Sequence, residues 1–308
     1  MILRVKNLTI EVQKKWKVIK NVSFELKEGE KLGIVGESGS GKTVLMRSLI
    51  GLLPSSISIT EGTICYQDHL LSEMKESEMQ KIRGKEIGMV FQDPLTFLNP
   101  TSKVGTQISE GYRRHFPHAS KKEAEDAALE LLKEVGIPEP ELRLTQFPHE
   151  LSGGLRQRIL IAIALAAKPR LLIADEPTTA LDVTVQAQIM ELLRNLQQDR
   201  STILITHDLS LVASFCDRVL VMYAGEIVED ASIEQLFNEP EHPYTEQLLK
   251  SIPSLSSHKR LATIPGTPPD LSKPLQGCAF APRCSCAFEK CFKETPPQNK
   301  VRCWLKIC

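Results

Sequence analysis

Residues 36–43 read Gly36-Glu37-Ser38-Gly39-Ser40-Gly41-Lys42-Thr43, which is the pattern G-x-x-x-x-G-K-T. The glycines allow successive backbone N–H groups to turn toward one anion, in conformations that a side chain resists. Lys42 is long enough to reach the β- and γ-phosphates of a nucleotide, and the Thr43 hydroxyl is a suitable Mg²⁺ ligand. The stretch therefore predicts a loop that binds a nucleoside triphosphate together with Mg²⁺.

The segments on either side of the loop support this interpretation. Residues 31–35 form a short apolar run typical of a buried strand, and residues 43–53 predict a helix. The helix N-terminus would add its partial positive charge to the anion site. A strand, a glycine loop and a helix in this order favour an α/β fold.

Composition narrows the class of protein. The chain has 308 residues, with 38 Lys and Arg against 38 Asp and Glu, so its formal net charge is zero. This balance argues against a nucleic-acid groove, which usually carries a basic excess. The apolar run 159–167 is too short to span a membrane. Residues 1–6 lack the apolar core of a signal peptide, so we expect a soluble, cytoplasmic protein.

Two antiparallel strands are predicted at residues 2–12 and 17–26, where apolar and polar residues alternate. Trp16 falls between them and is a candidate to stack on an adenine ring, although a tryptophan at a sheet edge is the simpler alternative.

The next segment predicts a strand at 59–66, a polar helix at 72–83 and a buried strand at 86–91. Gln92 ends this last strand, because Pro94 cannot continue the ladder. A glutamine at such a strand end is placed to face a metal or a water.

Residues 95–150 are a helical insert. Its clearest helix is predicted at 121–135, with Ser120 and Glu123 as a capping box. Ser152, Gly153 and Gly154 then open a long apolar helix, 155–167. These residues predict either a second anion site at a helix N-terminus or a plain N-cap with a flexible lead-in.

Two carboxylates follow the four apolar residues 171–174, which predict a fully buried strand. Asp175 is placed to hold Mg²⁺, directly or through water, and Glu176 to polarise an attacking water. Adjacent acids at a strand end repel each other without a cation, which favours a functional role over a structural one. A helix is predicted at 183–197, and the next buried strand, 202–206, ends at His207, a candidate contact for a γ-phosphate.

These motifs, in this order, resemble those of ATP-binding cassette (ABC) ATPases, the nucleotide-binding subunits of ABC transporters. The resemblance covers roughly residues 1–230, the predicted nucleotide-binding domain, and implies an antiparallel β subdomain and a helical subdomain at about 95–168. It assigns these family motifs: the Walker A loop 36–43, the Q-loop residue Gln92, the signature 151–157, the Walker B residue Asp175, the catalytic Glu176, the D-loop 180–182 and the switch His207. Trp16 lies nearer the phosphate loop than the usual aromatic residue of the family.

The resemblance also implies how the motifs operate. Two cassettes face head to tail, so that Ser152, Gly153 and Gly154 of one complete the ATP site of the other, with Asp182 beside it. The residues after Gln92 would contact coupling helices of membrane subunits.

A change of composition marks residues 231–308 as a C-terminal extension, which contains ten of the nineteen prolines and six of the eight cysteines. Residues 241–253 and 277–284 resemble the tail of the oligopeptide/dipeptide (and nickel) importer subfamily. Cys278, Cys284, Cys291 and Cys303 suit a [4Fe–4S] cluster or zinc, and the resemblance favours iron–sulfur. Free thiols or a disulfide pair are the alternative.

The resulting expectation is an ATP-hydrolysing subunit for import of di- or oligopeptides, peripheral on the cytoplasmic face of the cell membrane. Its partners would be a second, related ATPase subunit, two membrane permease subunits and an extracytoplasmic solute-binding protein, without nucleic acid. A nickel or metal–chelate importer is the first alternative, and a soluble non-transport ABC ATPase is the second. The sequence leaves open the exact substrate and whether the ATPase dimer is homo- or heteromeric.

Overall fold

The computed structural model describes residues 1–179, 181–196, 200–252 and 263–306. The chain divides into two compact units. Unit 1 comprises Met1–Glu73 and Ile205–Cys308, and unit 2 comprises Met74–Leu204.

The strands in chain order are β1 (Leu3–Val12), β2 (Trp16–Leu26), β3 (Lys31–Val35), β4 (Ile57–Tyr66), β5 (His69–Leu70), β6 (Ile87–Val90), β7 (Leu171–Asp175), β8 (Ser201–Thr206), β9 (Arg218–Tyr223) and β10 (Glu226–Ser232). The α-helices are α1 (Lys42–Leu49), α2 (Glu76–Ile82), α3 (Pro94–Phe97), α4 (Val104–His115), α5 (Lys121–Glu134), α6 (Pro140–Thr145), α7 (Gly153–Leu165), α8 (Val183–Asn195), α9 (Leu209–Phe215), α10 (Ile233–Asn238), α11 (Pro243–Lys250) and α12 (Glu289–Lys293). No helix in the described ranges is both long and apolar enough to cross a bilayer.

The first part of unit 1 is an antiparallel sheet with the strand order β2-β1-β4-β5, which confirms the predicted pair of N-terminal strands. The alternation of side chains along β1 is interrupted at Asn7, which adopts a φ of 48° where the register with β2 shifts. Such a bulge moves the following residues by one position, so that Leu8, Thr9 and Ile10 are all buried in succession.

The second part of unit 1 is a sheet region in which β9 lies between two neighbouring strands. β3 pairs with β9 in parallel, and β10 pairs with β9 in an antiparallel register. β3 leads into the glycine loop and α1. α1 is shorter than the predicted helix 43–53 because Gly51 adopts a left-handed φ of 61°, with its own N–H on the Ser48 carbonyl.

The C-terminal extension adds to the same part of unit 1. Val301 forms an antiparallel bridge with Glu229 of β10, and Arg302 donates its backbone N–H to the Val228 carbonyl at 2.8 Å. The carboxylate of the fully buried Glu229 accepts the backbone N–H groups of Glu241 and His242 at 2.9 Å each. The extension is therefore tied to the core by backbone hydrogen bonds as well as by side chains. The boundary at residues 230/231 stays a prediction.

Unit 2 contains β7 and β6, which pair in parallel, and the first four residues of β8, the neighbour of β7. From Ile159 to Leu165, α7 is apolar on all sides and largely buried, as expected for a helix segment in the middle of a core. α3, α4, α5 and α6 form the helical insert, and α5 carries the predicted Ser120–Glu123 capping box. The predicted helix at 72–83 is shorter than expected, since a 3-10 turn at Leu71–Glu73 precedes α2.

Candidate active site

The phosphate loop joins β3 to α1 in unit 1. Gly39 and Gly41 have φ values of 79° and 100°, which side chains rarely adopt. A Cβ at Gly36 would lie 2.2 Å from the backbone oxygen of Met222, and one at Gly41 would lie 3.0 Å from that of Val18. Backbone atoms cannot move aside as side chains do, so the loop needs its glycines both for conformation and for space.

Lys42 begins α1 and is buried. Its ammonium group donates to the carbonyls of Gly36 and Glu37 at 2.7 and 2.9 Å, which closes the loop over the helix N-terminus. The N-cap of α1 is Gly41, which has no side chain to satisfy the first helical N–H groups. A charged ammonium group and the start of a helix thus lie at one end of the loop, as the sequence predicts for an anion site.

The other predicted phosphate-loop residues differ in exposure. Ser40 is buried and Ser38 is exposed, while Thr43 is half-buried in the first turn of α1. Glu37 is also half-buried. Its backbone N–H donates to the Tyr244 hydroxyl at 2.9 Å, and its carboxylate forms an ion pair with Arg283 at 2.6 Å. Neither partner was found by sequence reasoning, because each lies more than 200 residues away in the chain.

The predicted catalytic glutamate lies in unit 2, directly after β7. Glu176 adopts a φ of 46°, an uncommon conformation for a residue with a side chain and one that is often found at functional sites. Its Oε2 atom accepts from Gln92 Nε2 at 3.0 Å and from Thr179 Oγ1 at 2.8 Å. The structure thus brings together Gln92 and Glu176, which were predicted independently, and adds Thr179 to them.

Asp175 is buried at the end of β7, one residue before Glu176. The predicted Mg²⁺ donors are the Asp175 carboxylate, the Thr43 hydroxyl and the Gln92 amide oxygen. All are oxygen atoms, the donor type that this hard cation prefers. The chemistry of the donor set therefore fits Mg²⁺.

The signature segment begins α7 in unit 2. Ser152 is its N-cap, and its hydroxyl accepts the N–H of Leu155 at 3.4 Å. Ser152 and Gly153 are exposed. A Cβ at Gly154 would lie 2.8 Å from the Val185 side chain of α8, whereas one at Gly153 would meet only an ordinary contact, 3.5 Å from Leu181.

The remaining predicted nucleotide contacts lie at element ends. Trp16 is half-buried at the start of β2, where it pairs with Val12. His207 is exposed directly after β8. Asp182 is the N-cap of α8 and accepts the N–H of Val185 at 2.9 Å. Ala180, in the predicted D-loop, lies outside the described residues.

The four predicted cysteine ligands line one small cavity in unit 1, of about 20 Å³, together with Cys286 and His242. Burial raises the pKa of Cys278 to about 11 and raises that of Cys284 as well. All cysteines in the described part of the chain are free thiols. No group of three or more His, Cys, Asp or Glu residues among those described is arranged to hold a metal ion. The structure therefore lends no support to the expected [4Fe–4S] cluster, which stays a prediction.

Comparisons with known proteins agree with this geometry. A family model described as ABC transporter matches residues 19–179, more than half of the chain. The chain belongs to the ABC transporter family of ATPases. A second model, described as the C-terminal region of oligopeptide/dipeptide transporters, matches residues 228–291. The cassette and its extension are thus both recognised, in the order predicted.

Curated relatives match this ABC ATPase over nearly its whole length. It is 53% identical over 312 residues to the oligopeptide transport ATP-binding protein OppD of Bacillus subtilis (strain 168), covering 97% of this chain and 86% of that protein. It is 51% identical to the dipeptide transport ATP-binding protein DppD of Lactococcus lactis subsp. cremoris (strain MG1363), covering 97% and 88%.

Solved cassettes share its fold. The ATP-binding cassette MJ0796, in a dimeric post-hydrolysis state bound to ADP and Pi, superposes with a TM-score of 0.68 at 31% identity. That match covers 75% of this chain and 99% of the other.

Proposed function

We propose that this ABC ATPase hydrolyses ATP to energise the import of di- or oligopeptides. The observation that carries the proposal is a phosphate loop locked by its glycines and by Lys42, in the same chain as the C-terminal region of oligopeptide/dipeptide transporters. OppD and DppD, an oligopeptide and a dipeptide transport ATP-binding protein that are about half identical to this chain over nearly its full length, support the peptide class of substrate.

In this proposal the loop and Lys42 bind the triphosphate, and Trp16 stacks on the adenine. Thr43, Asp175 and Gln92 would hold Mg²⁺, which when bound would offset the negative charge of the β- and γ-phosphates. Glu176 accepts a proton from the attacking water, and His207 contacts the γ-phosphate. The two hydrogen bonds on Glu176 Oε2 support this role, because they fix the orientation of the carboxylate.

The signature would act on a neighbouring cassette. Ser152, Gly153 and Gly154 would bind the γ-phosphate held by the partner's phosphate loop, with Asp182 beside it. The exposure of Ser152 and Gly153 supports this arrangement, since a helix N-terminus that is open to solvent can meet an anion from outside the chain. The partner is either a second copy or a related ATPase.

The surface after Gln92 is the proposed contact with the permease subunits. Leu95 and Phe97 are 64% and 42% exposed, which is unusual for large apolar side chains so close together. An apolar surface next to a residue that binds the catalytic glutamate would connect permease movement to hydrolysis. We place the protein at the cytoplasmic face of the membrane on this basis, with a solute-binding protein delivering the peptide.

The proposal extends to a second cofactor, a [4Fe–4S] cluster bound by the cysteines that line the cavity. The five thiols that line one cavity support this proposal, because thiolates are the usual ligands of iron–sulfur clusters and of structural zinc. Iron and zinc analysis of anaerobically purified protein tests this directly. One bound cluster per chain would support it, and protein without either metal would refute it.

The transport proposal is tested by co-purifying the chain with its cognate membrane subunits and reconstituting them in vesicles with the solute-binding protein. We expect ATP hydrolysis to rise on addition of di- or oligopeptides, and no such rise with the Glu176→Gln variant as a control. Stimulation by a nickel chelate but not by peptides would contradict the peptide assignment. A rate of ATP hydrolysis that is the same with and without the membrane subunits would contradict a transport role.

A further inference from the structure

An arginine of the C-terminal extension is paired with the second residue of the phosphate loop. Arg283 Nη1 donates to Glu37 Oε2 at 2.6 Å, and Arg283 Nη2 donates to Glu37 Oε1 at 3.0 Å. The Arg283 side chain is 5% exposed and that of Glu37 is 24% exposed. A two-pronged pair of this kind fixes the position and the plane of the carboxylate as well as its charge.

Arg283 is itself held firmly. Its Nε atom donates to the Pro265 carbonyl at 2.8 Å, and Nη1 also donates to the Tyr223 hydroxyl at 3.2 Å. It ends the 3-10 helix Ala281–Arg283, directly before Cys284. A buried guanidinium with this many partners cannot swing away without leaving a charge uncompensated.

Tyr244 makes a second contact with the same loop residue. Its hydroxyl accepts the backbone N–H of Glu37 at 2.9 Å, and its side chain is fully buried. Its ring packs against Tyr223 and Phe280, with centroid separations of 4.6 and 5.3 Å. The aromatic cluster therefore positions Tyr244 itself. It also positions Arg283, because Phe280 directly precedes the 3-10 helix that ends at Arg283.

The charge of Glu37 makes this contact relevant to the nucleotide. A carboxylate within a loop that binds a triphosphate repels its ligand, since like charges at short range in a partly buried site interact strongly. The Arg283 guanidinium neutralises that carboxylate and also pulls it toward the extension.

We propose that Arg283, assisted by Tyr244, is a positioning residue for ATP binding that holds the phosphate loop through Glu37 and cancels its charge. This inference rests on the proposed function, because it assumes that the loop binds ATP. The extension then has a role within the catalytic cycle of its own chain. ATP binding and docking of the extension would be coupled, each strengthening the other.

The test measures the dissociation constant of Mg·ATP for the full-length chain by isothermal titration, with thermal stability recorded for each variant. Arg283→Gln leaves the Glu37 carboxylate uncompensated, so we expect ATP to bind about 5- to 150-fold more weakly, the usual range for coupled sites. The double variant Glu37→Gln/Arg283→Gln removes both charges, and we expect it to recover most of the lost affinity. Weakening by Arg283→Gln should also grow at low salt, where the exposed carboxylate is less screened.

A matched control is available in the same extension. Arg302 pairs with Glu226 at 3.2 Å, with side chains 9% and 11% exposed, so this pair also joins the extension to the core but does not touch the phosphate loop. Arg302→Gln should lower thermal stability while leaving the dissociation constant of ATP unchanged.

Two milder variants keep the test informative if Arg283→Gln does not fold. Arg283→Lys retains the positive charge but cannot form both hydrogen bonds to the Glu37 carboxylate, so it should bind ATP with intermediate affinity. Tyr244→Phe removes only the hydroxyl and should weaken ATP binding about 2- to 5-fold, the loss of one ordinary hydrogen bond.

The possible outcomes distinguish a failure of the inference about Arg283 from a failure of the proposed function. The inference is overturned if Arg283→Gln binds ATP like the unchanged chain, if the double variant binds as weakly as Arg283→Gln, or if Arg302→Gln weakens binding equally. In each of these cases the unchanged chain still binds ATP and the proposed function stands. An unchanged chain that binds no ATP would overturn both.

Discussion

The two glycine-rich helix starts of this molecule are built differently. The phosphate loop of unit 1 has glycines at left-handed φ values, backbone atoms where a Cβ would be and a lysine folded over it. The start of α7 in unit 2 is exposed, has an ordinary serine cap and contains one glycine, Gly153, that neither space nor φ requires. The glycines of the phosphate loop are therefore required by its own conformation and packing, whereas Gly153 is not required by the fold around it, which is consistent with the proposed contact between the start of α7 and a second cassette.

The largest effect is expected from removing the charge of Glu176. Glu176→Gln keeps the side-chain shape but cannot accept the proton of water, so turnover should fall about 10²- to 10⁴-fold, the usual contribution of a general base. ATP binding should be retained, because the phosphate loop is unchanged. Steady-state hydrolysis and equilibrium binding of ATP measure the two effects separately. Near-normal hydrolysis would refute the assigned role of Glu176.

A pair of glycine substitutions tests the difference between the phosphate loop and the start of α7. Gly36→Ala forces a Cβ onto the Met222 carbonyl and should lose both thermal stability and ATP binding. Gly153→Ala should fold with unchanged or slightly higher stability and bind ATP normally. Its turnover should fall about tenfold or more, because a methyl group would obstruct a charge-assisted hydrogen bond to phosphate. If Gly153→Ala turned over ATP at the normal rate, the start of α7 would be only a helix cap.

A smaller effect, on stability, comes from the extension that supports the phosphate loop. Burial lowers the pKa of His242 to about 4, opposed by a hydrogen bond to the Arg302 backbone. Because this folded-state pKa lies below the unfolded value, the unfolded chain binds the proton first. The stability that His242 contributes is therefore complete above about pH 6.5 and decreases as the pH falls toward 4, by about 2 kcal/mol at pH 5.

His242→Asn is the matched variant for this pH dependence. His242 is the N-cap of α11, and its Nδ1 atom accepts the N–H of Tyr244 at 3.0 Å, a role that asparagine also fills. Urea unfolding at pH 5, 6 and 7 should show a flatter pH dependence for the variant than for the unchanged chain. Identical slopes would show that His242 is not the group responsible.

Much of this arrangement was predictable from local pattern. The phosphate loop, the strand that ends at Asp175 and the helix that begins near Ser152 each have a short sequence signal. In each case the residues that give the sequence signal are also the ones that form the loop, the strand or the helix start in the structure. The N-cap role of Asp182 also had a signal, since an aspartate directly before an apolar helix is a typical cap.

Other features had no local signal. The bulge at Asn7 depends on pairing with two neighbouring strands, and the early end of α1 depends on Gly51, whose φ became clear only in the fold. The contacts of Arg283 and Tyr244 with Glu37 join positions separated by 246 and 207 residues. Pattern within a window cannot reveal such contacts, because they arise from tertiary packing.

We propose that one ATP lies between the phosphate loop of one cassette and residues Ser152–Gly154, at the start of α7, of another. Sedimentation of the Glu176→Gln chain, alone and mixed with its cognate ATPase, measures this directly when ATP is added or withheld. We expect association only when ATP is present, and loss of this association when Gly153→Ala is added to the same chain. A chain that binds ATP yet never pairs under either condition would contradict it.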